Sequence, residues 1–354
     1  MVEAVSNALW NERMVLGESV FKFEEAFARY IGTKHAVSVS SGTAALVLSL
    51  IALGVKDREV LTTPLSFIAT ANAVVQAGGV PAFSDVSELD YNMDPKQVKG
   101  HLTKKTKALL PVHLFGCPAN MGELMDIAES KGLKMIEDAA QAHGAIYKGK
   151  KVGSFGDVGC FSFYSTKNMT VGGDGGMVTT DDEAIARSVA KLRDCGRTSR
   201  YVHDVVGFTA RLNTANAAFG LVQLRHLDEW NERRRAIAAL YSKHLKGESQ
   251  IVLPPRGDEN VAPVFHLFVI KCKKRDELAK HLGDKGIECG VHYPVPIHLQ
   301  PVYREMYGYT PGAFPVSESL SSSLLSLPIF PALPDDDVRF ICEQIFDFYR
   351  RSSR

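Results

Sequence analysis

The stretch LKMIEDAAQAHGA, residues 133–145, joins an apolar run to a carboxylate, an amide and an imidazole. The apolar run is typical of a buried strand. Asp138 follows at its carboxyl end, where loss of hydration disfavours a charge. Asp is a frequent helix N-cap, but the residues after Asp138 make a weak helix start. Lys131 and Lys134 precede or begin the strand and point elsewhere. We therefore predict that a bound cation faces Asp138.

Short apolar runs alternate with helical patterns around this stretch. A strand over 36–39 and a helix from Thr43 are followed by similar strand–helix pairs up to residue 138. Runs of about four to six apolar residues between helices are typical of a parallel sheet with crossover helices. Helical spacing over 19–31 predicts a helix capped by Ser19, and a longer helical pattern covers 213–245.

The pattern changes from about residue 250 onward. FHLFVIKC predicts a strand, RDELAKHLGDKG predicts a helix, and a last helix is expected near Pro334. We predict an α/β protein with a large three-layer α/β/α domain over 15–235, whose sheet is mainly parallel. A smaller C-terminal α+β domain is predicted over 236–354, and residues 1–14 are predicted to associate with it.

The composition excludes several classes of protein. The 354 residues are 45% hydrophobic, and the net charge of +1 gives no global field that would attract nucleic acid or an anionic membrane. The longest apolar stretch, around 44–55, is too short to span a bilayer. The N-terminus lacks the pattern of a secretion signal. The six cysteines are scattered without a C-x-x-C pair, so we expect reduced thiols in the cytoplasm.

Two further stretches suggest chemistry. Lys167 in FSFYSTKNM follows an aromatic strand, where desolvation lowers the pKa of its amine and allows a Schiff base. Most lysines at strand ends simply reach solvent, and this interpretation stays open. SSGTAAL, residues 40–46, leads from a Ser-Gly-Thr turn into a helix, whose free N–H groups and dipole can hold a phosphate. An ordinary capped helix has the same pattern.

Pyridoxal phosphate satisfies all three features at once. Its phosphate would lie on the turn at Gly42 and Thr43, its ring nitrogen would face Asp138, and its aldehyde carbon would meet Lys167. Phe67, at a strand end in LSFIATAN, is placed to stack on the ring. The acid then keeps the pyridine protonated, so that the ring acts as an electron sink.

The chain resembles the DegT-type (DegT/StrS) sugar-nucleotide aminotransferases over nearly its whole length. The shared motifs are SSGTAAL, TPLSFIATANAV, EDAAQAHGA, GCFSFYSTKN with GGDGGM, RLNTANAAFGLVQL and HYPVPIHLQPVY, in that order. The resemblance implies the aspartate-aminotransferase-like fold type I of pyridoxal phosphate enzymes, and a homodimer with active sites between the subunits. It also implies transfer of an amino group from an amino acid, glutamate, to a nucleotide-linked keto-sugar.

The resemblance assigns roles to individual residues. Lys167 forms the Schiff base and shuttles the proton, while Asp138 pairs with the ring nitrogen. The other implied contacts are Gln141 near the ring's phenolic oxygen, Gly42, Thr43 and Ser162 at the phosphate, Phe67 on the ring, and Tyr293 and His298 near the substrate. A purely structural histidine is an equally good interpretation of His298. No metal is expected, because His292 and His298 lack metal-ligand spacing.

The chain departs from the family pattern at Thr209. Relatives often have an Asn there that reaches the cofactor phosphate of the neighbouring subunit. The Thr hydroxyl in GFTARLN can donate but has a shorter reach. Relatives usually have some residues before the first helix, whereas this chain begins almost directly in it. A trimmed N-terminus or an active site that is open at that edge would have this pattern.

Three other functions fit the sequence less well. A related sugar dehydratase has a histidine where this chain has Lys167. A regulatory protein that keeps the fold without turnover is expected to lose Lys167 or Asp138, and both are present. A Rossmann dehydrogenase needs G-x-G-x-x-G after a strand, which the sequence lacks. We therefore predict an aminotransferase.

Overall fold

Helices and strands alternate along most of the chain in the computed structural model, which describes residues 1–352. The helices are α1 Val2–Asn11, α2 Glu18–Ile31, α3 Gly42–Ala52, α4 Ala69–Gln76, α5 Pro95–His101, α6 Met121–Lys131, α7 Glu183–Arg193, α8 Thr214–Leu224, α9 Leu227–His244, α10 Arg275–Gly283, α11 Pro301–Tyr307, α12 Pro315–Ser323 and α13 Asp335–Ser352. The strands are β1 His35–Val39, β2 Glu59–Thr62, β3 Val80–Phe83, β4 Thr106–Leu109, β5 Lys134–Asp138, β6 Ile146–Tyr147, β7 Lys150–Lys151, β8 Val158–Ser162, β9 Gly176–Thr180, β10 Arg197–Ser199, β11 Val202–His203, β12 Ile251–Val252, β13 Val261–Ala262, β14 Phe268–Cys272 and β15 Leu324–Leu327.

Seven strands form the central sheet in the order β1-β9-β8-β5-β4-β2-β3. Neighbours from β8 to β3 are parallel, and β9 is antiparallel to both β1 and β8. Successive side chains on a strand face opposite sides of a sheet. On β5, Ile136 joins the apolar cluster that contains Val189 of α7, while Met135 joins the cluster that contains Leu124 of α6. Helices therefore cover both faces, which confirms the predicted α/β fold with a mainly parallel sheet.

A second, antiparallel sheet of β12, β14 and β15 organises the C-terminal part of the chain. Its apolar cluster includes side chains of α10 and α13 together with Tyr241 of α9, whose ring stacks on Phe268 at 4.8 Å between centroids. Leu227, at the other end of α9, belongs to the cluster of α2 and β8. One continuous helix thus reaches both cores.

Three local expectations are wrong. The sequence pattern did not predict α1, which packs on α8 within the residues assigned to the large domain and not on the small domain. Gly17, not Ser19, caps α2; Ser19 is the second residue of the helix, and its hydroxyl donates to Glu12 Oε1 at 2.6 Å. The single helical pattern over 213–245 is broken between α8 and α9. No helix within residues 1–352 is long and apolar enough to cross a membrane.

Candidate active site

Asp138 ends β5, and 5% of its surface is exposed. Thr70 Oγ1 donates to its Oδ2 at 2.8 Å, and the N–H of Ala140 donates to its Oδ1 at 3.2 Å. Both donors are neutral, and burial raises the pKa of the carboxyl above its ordinary value. Residues 139–145 form turns, so Asp138 caps no helix. Its surroundings would therefore be stabilised by a cation, as the sequence suggested.

Glu137, the preceding residue, shows how this chain satisfies a buried acid whose function is structural. Its carboxylate accepts hydrogen bonds from the N–H groups of Gly153, Phe155 and Gly156 at 2.7–2.9 Å. His113 Nε2 lies 3.0 Å from its Oε2, and His113 Nδ1 accepts from the backbone, so Nε2 carries the proton and donates. Four donors thus surround Glu137, whereas Asp138 has two.

Lys167 lies in the turn that follows β8. Its backbone N–H donates to the carbonyl of Tyr164 at 2.9 Å, which closes the turn. Burial lowers the pKa of the Lys167 amine from 10.5 to about 8, and the charge of Asp138 opposes this effect. The two residues singled out as catalytic are thus close enough to influence each other. Lys167 has the lowered pKa that the apolar strand predicted.

Three imidazoles are close enough to Lys167 to be influenced by its charge. Burial lowers the pKa of His143 to about 3, that of His266 well below its ordinary value, and that of His292 below its ordinary value. The ammonium form of Lys167 contributes to each decrease. These rings are therefore neutral at physiological pH, and Asp138 is the charged group that acts on the lysine.

The Ser-Gly-Thr turn meets the end of β8 at the start of α3. Ser41 caps α3 by accepting from the N–H of Ala44 at 3.0 Å. A Cβ atom on Gly42 would lie 2.6 Å from the Cβ of Ser162, so the close approach requires glycine. Gly42, Thr43 and Ser162 therefore lie together at the positive end of a helix dipole, as a phosphate site requires.

Gln141 links the loop after β5 to Tyr293 in the C-terminal part of the chain. Its Oε1 accepts from the N–H of Phe115 at 2.7 Å, and its Nε2 donates to the Tyr293 hydroxyl at 3.0 Å. Phe67 packs at a tilt against the Tyr293 ring, with 6.0 Å between centroids, and 56% of its surface is exposed. An exposed phenyl ring above Gln141 and Tyr293 is available for a planar ligand.

His298 and Thr209 have other partners in the single chain. His298 is fully buried, with Nε2 3.0 Å from Glu318 Oε1 and its ring edge-on to Phe314. These contacts match the structural interpretation of His298, and a contact with substrate stays a prediction. The Thr209 hydroxyl lies 3.4 Å from Cys195 Sγ on an exposed segment. Its predicted contact with a neighbouring subunit likewise stays a prediction.

Several residues near Asp138 and Lys167 were not singled out from the sequence. Thr70 follows Phe67 by three residues inside TPLSFIATANAV, so one helical turn brings it to the same place. Asn168 is buried and follows Lys167 directly, so its position within the motif FSFYSTKNM could have singled it out. Asn231 and His266 had no local signal, because their partners are distant in sequence.

The residues present fit pyridoxal phosphate. The buried Asp138 suits a protonated ring nitrogen, the Lys167 amine suits an aldehyde carbon, and the glycine cradle at Gly42 and Ser162 suits a phosphate. The part of the chain that is described contains no group of three His, Cys, Asp or Glu side chains placed to hold a metal ion.

Fold and site together define an α/β enzyme of the pyridoxal phosphate-dependent transferase class, fold type I. The chain belongs to the DegT/DnrJ/EryC1/StrS aminotransferase family, whose model matches residues 1–346. This confirms the resemblance seen in the motifs. The protein is an aminotransferase, and its cofactor is pyridoxal phosphate.

Two curated relatives and one solved structure illustrate the similarity. The chain is 42% identical to the dTDP-3-amino-3,4,6-trideoxy-alpha-D-glucose transaminase of Streptomyces venezuelae, over 93% of this chain and 87% of the relative. It is 40% identical to a pleiotropic regulatory protein of Geobacillus stearothermophilus, over 99% and 94%. The crystal structure of S. venezuelae DesV in complex with a ketimine intermediate matches with a TM-score of 0.95 and 40% identity, over 98% of this chain and 93% of DesV.

Proposed function

We propose that this enzyme converts a nucleotide-linked keto-sugar to an amino-sugar, with an amino acid, glutamate, as the donor. The observation that carries the proposal is the buried Asp138 together with the partly buried Lys167, whose amine has a lowered pKa, and a helix start that suits a phosphate. The similarity to a dTDP-sugar transaminase over most of the chain supports the substrate class. Pyridoxal phosphate, when bound, supplies the electron sink for the reaction.

Lys167 accepts and returns the proton that moves during transfer of the amino group. With a pKa of about 8, about one amine in ten is uncharged at pH 7, compared with about one in several thousand for an ordinary lysine. Asp138 would keep the ring nitrogen of the bound cofactor protonated, and Gln141, held by Phe115 and Tyr293, would face the phenolic oxygen. Gly42, Thr43 and Ser162 would hold the phosphate, and Phe67 would stack on the ring.

The active unit in this proposal is a homodimer whose sites lie between the subunits. Large apolar side chains are exposed on α1 and around the β10–β11 hairpin: Trp10 at 87%, Tyr201 at 80% and Val206 at 92%. Exposed apolar patches are typical of interaction sites, so we expect the partner subunit to cover these side chains. Thr209 follows this hairpin and would approach the partner's phosphate in such a dimer. Sedimentation of the holoenzyme measures the expected dimer.

Two further assignments belong to the proposal. The large cofactor-binding domain comprises residues 15–235 and the small domain 236–354, with the boundary inside α9, whose two ends join different apolar cores. The enzyme acts in the cytoplasm, and its six free cysteines, four of them buried, agree with a reducing compartment.

A non-catalytic regulatory function is disfavoured, although one relative that matches 99% of this chain is named a regulatory protein. The presence of both Lys167 and Asp138 favours the enzyme. The dehydratase alternative is disfavoured by Lys167 itself.

Two measurements on the holoenzyme test the proposal. Borohydride should fix the cofactor on Lys167, as found by peptide mapping, while Lys150→Ala, which removes an exposed lysine, should leave the adduct unchanged. Isotope-labelled glutamate should then transfer its nitrogen to at least one member of a panel of nucleotide-linked keto-sugars, detected by mass spectrometry. An adduct on Lys167 without nitrogen transfer to any sugar would refute the proposed donor and substrate class. An adduct on another lysine would refute the assigned site.

A further inference from the structure

The turn that carries Lys167 is exposed at its tip. Tyr164, Ser165 and Thr166, which precede the lysine, are exposed, and the hydrogen bond from the Lys167 N–H to the Tyr164 carbonyl stays within the turn. Asn168 follows immediately and is 5% exposed, next to the buried Met169. Asn168 is thus the polar anchor directly beside the lysine, and its partners help to fix the position of the Lys167 amine.

The side chain of Asn168 uses all its polar atoms on distant partners. Its Nδ2 donates to Asn231 Oδ1 at 2.9 Å and to the Val264 carbonyl at 3.0 Å. Its Oδ1 lies 3.2 Å from His266 Nδ1, which donates because an amide oxygen can only accept. Three bonds thus connect the residue after Lys167 to α9 and to the segment that enters β14.

Asn231 extends the connection to the loop that follows Asp138. Its Nδ2 donates to the His143 carbonyl at 2.8 Å, while its Oδ1 accepts the hydrogen bond from Asn168 Nδ2. A Cβ on Gly144 would lie 3.0 Å from Asn231 Nδ2, so glycine at this position allows the amide to approach the loop. Asn231 is 1% exposed and makes both bonds inside the core.

The same face of α9 holds the joint between the two apolar cores. Arg234, one turn after Asn231, donates through Nη1 to the carbonyls of Phe265, His266 and Ile329 at 3.1–3.3 Å. The segment 264–266, whose Val264 and His266 are hydrogen-bonded to Asn168, is therefore itself fixed to α9.

We infer that Asn168 and Asn231 are positioning residues. They hold the Lys167 amine at a fixed position relative to Asp138 and to α9, the helix that reaches both apolar cores. The inference rests on the proposed role of Lys167. In each asparagine both ends of the amide are used, so no smaller or apolar side chain makes the same connection. Neither residue is assigned a contact with the cofactor; both act through the backbone segments that they join.

The cofactor-free protein offers a readout that a merely structural residue would not change. Burial sets the pKa of the Lys167 amine at about 8, with Asp138 acting against this effect and the neutral rings of His143, His266 and His292 nearby. If the turn is released, water reaches the amine and its pKa rises toward 10.5. Competitive acetylation at a series of pH values, followed by peptide mass spectrometry, measures this pKa without cofactor.

Asn231→Ala is the test variant, and Tyr241→Phe is its matched control. Tyr241 lies on the same helix, is fully buried, and donates one hydrogen bond to the Pro328 carbonyl at 2.9 Å, in the small core. Both variants lose buried hydrogen bonds of α9, and both should unfold a few degrees below wild type. Only Asn231→Ala should raise the Lys167 pKa, by about one unit, and lower kcat about ten- to a hundredfold, with a smaller change in KM.

A Lys167 pKa and a kcat in Asn231→Ala equal to those of Tyr241→Phe would overturn the inference, because the asparagines would then contribute stability alone. Should Asn231→Ala fail to fold, Asn231→Ser makes the same comparison, since a hydroxyl is too short to reach both partners. Borohydride mapping of the wild-type holoenzyme distinguishes failure of this inference from failure of the proposed active site. A normal adduct on Lys167 with an unchanged pKa in the variant refutes the positioning, whereas an adduct elsewhere refutes the proposed site.

Discussion

Replacement of Asp138 by Asn separates the chemistry of the carboxylate from its hydrogen bonds. The Thr70 hydroxyl donates to Asp138 Oδ2 at 2.8 Å and lies 2.8 Å from Ser66 Oγ. In Asp138→Asn the new Nδ2 can donate to Thr70 Oγ1, whose hydroxyl then donates to Ser66. The remaining amide oxygen still accepts from Ala140, as Oδ1 does now at 3.2 Å. The hydrogen-bond chain reverses its direction without losing a member, so we expect the fold to be kept.

The cofactor-free variant should be at least as stable as cofactor-free wild type at neutral pH. Burial raises the pKa of the Asp138 carboxyl above its ordinary 3.8, so the folded chain keeps this proton to a higher pH than the unfolded chain does. The contribution of Asp138 to stability therefore falls as the pH rises from about 3.8 to the folded pKa, and stays reduced above it. Asn does not titrate, so the advantage of the variant should shrink as the pH is lowered.

The catalytic activity of the holoenzyme should fall in this variant, although its cofactor-free stability does not. A neutral amide cannot keep the ring nitrogen protonated, and the electron sink is weakened. We expect turnover to fall by at least about a hundredfold, which corresponds to about 2.7 kcal/mol of activation free energy.

Thermal unfolding of both cofactor-free proteins at about pH 7.5 and about pH 5 gives the stability difference, and single-turnover kinetics with glutamate give the activity. Turnover within a few-fold of wild type would mean that Asp138 is only a structural residue. A clear loss of stability at neutral pH would refute the argument that burial raises its pKa. Asp90→Asn is the control, because burial also raises the pKa of Asp90, which is not among the proposed site residues.

Three further substitutions give distinct expected results. Thr209→Val keeps the shape and removes a donor, so cofactor affinity, measured by titration, should fall about ten- to a hundredfold with the dimer intact; unchanged affinity would place the phosphate wholly within one subunit. Gly42→Ala brings a Cβ to 2.6 Å from that of Ser162, so both stability and cofactor affinity should fall, the former by about 1–3 kcal/mol; normal cofactor binding would contradict the proposed cradle. Glu137→Gln leaves buried N–H donors unpaired, so chemical denaturation should show a loss of about 1–3 kcal/mol while the holoenzyme keeps Lys167 as its borohydride target.

The fold class was predictable because it depends on local periodicity. Short apolar runs between helices require a parallel sheet, and the sheet that contains β5 and β8 has this form. The helix boundaries were less predictable. Ser19 has the right chemistry for a cap, but α2 already begins at Glu18, so Ser19 lies inside the helix. α1 packs against α8 and has no strong sequence pattern of its own.

Part of the site was predictable for the same reason. Asp138 at a strand end, Lys167 after an aromatic strand and Gly42 at a helix start are each defined by neighbours in sequence, and these neighbours fix burial and helix dipole. Gln141 and Tyr293 are 152 residues apart and had separate roles implied by the resemblance, whereas the structure gives the hydrogen bond between them.

The sequence alone thus determined which chemical groups this protein presents and on which kind of element, because burial and backbone form follow from short-range patterns. The tertiary structure decided which groups act on one another. Asn168 meets Asn231 across 63 residues, and three neutral imidazoles from distant parts of the sequence are influenced by the charge of Lys167. Such pairings have no local signature, because they depend on the path of the whole chain and on the exclusion of water that only the packed core provides.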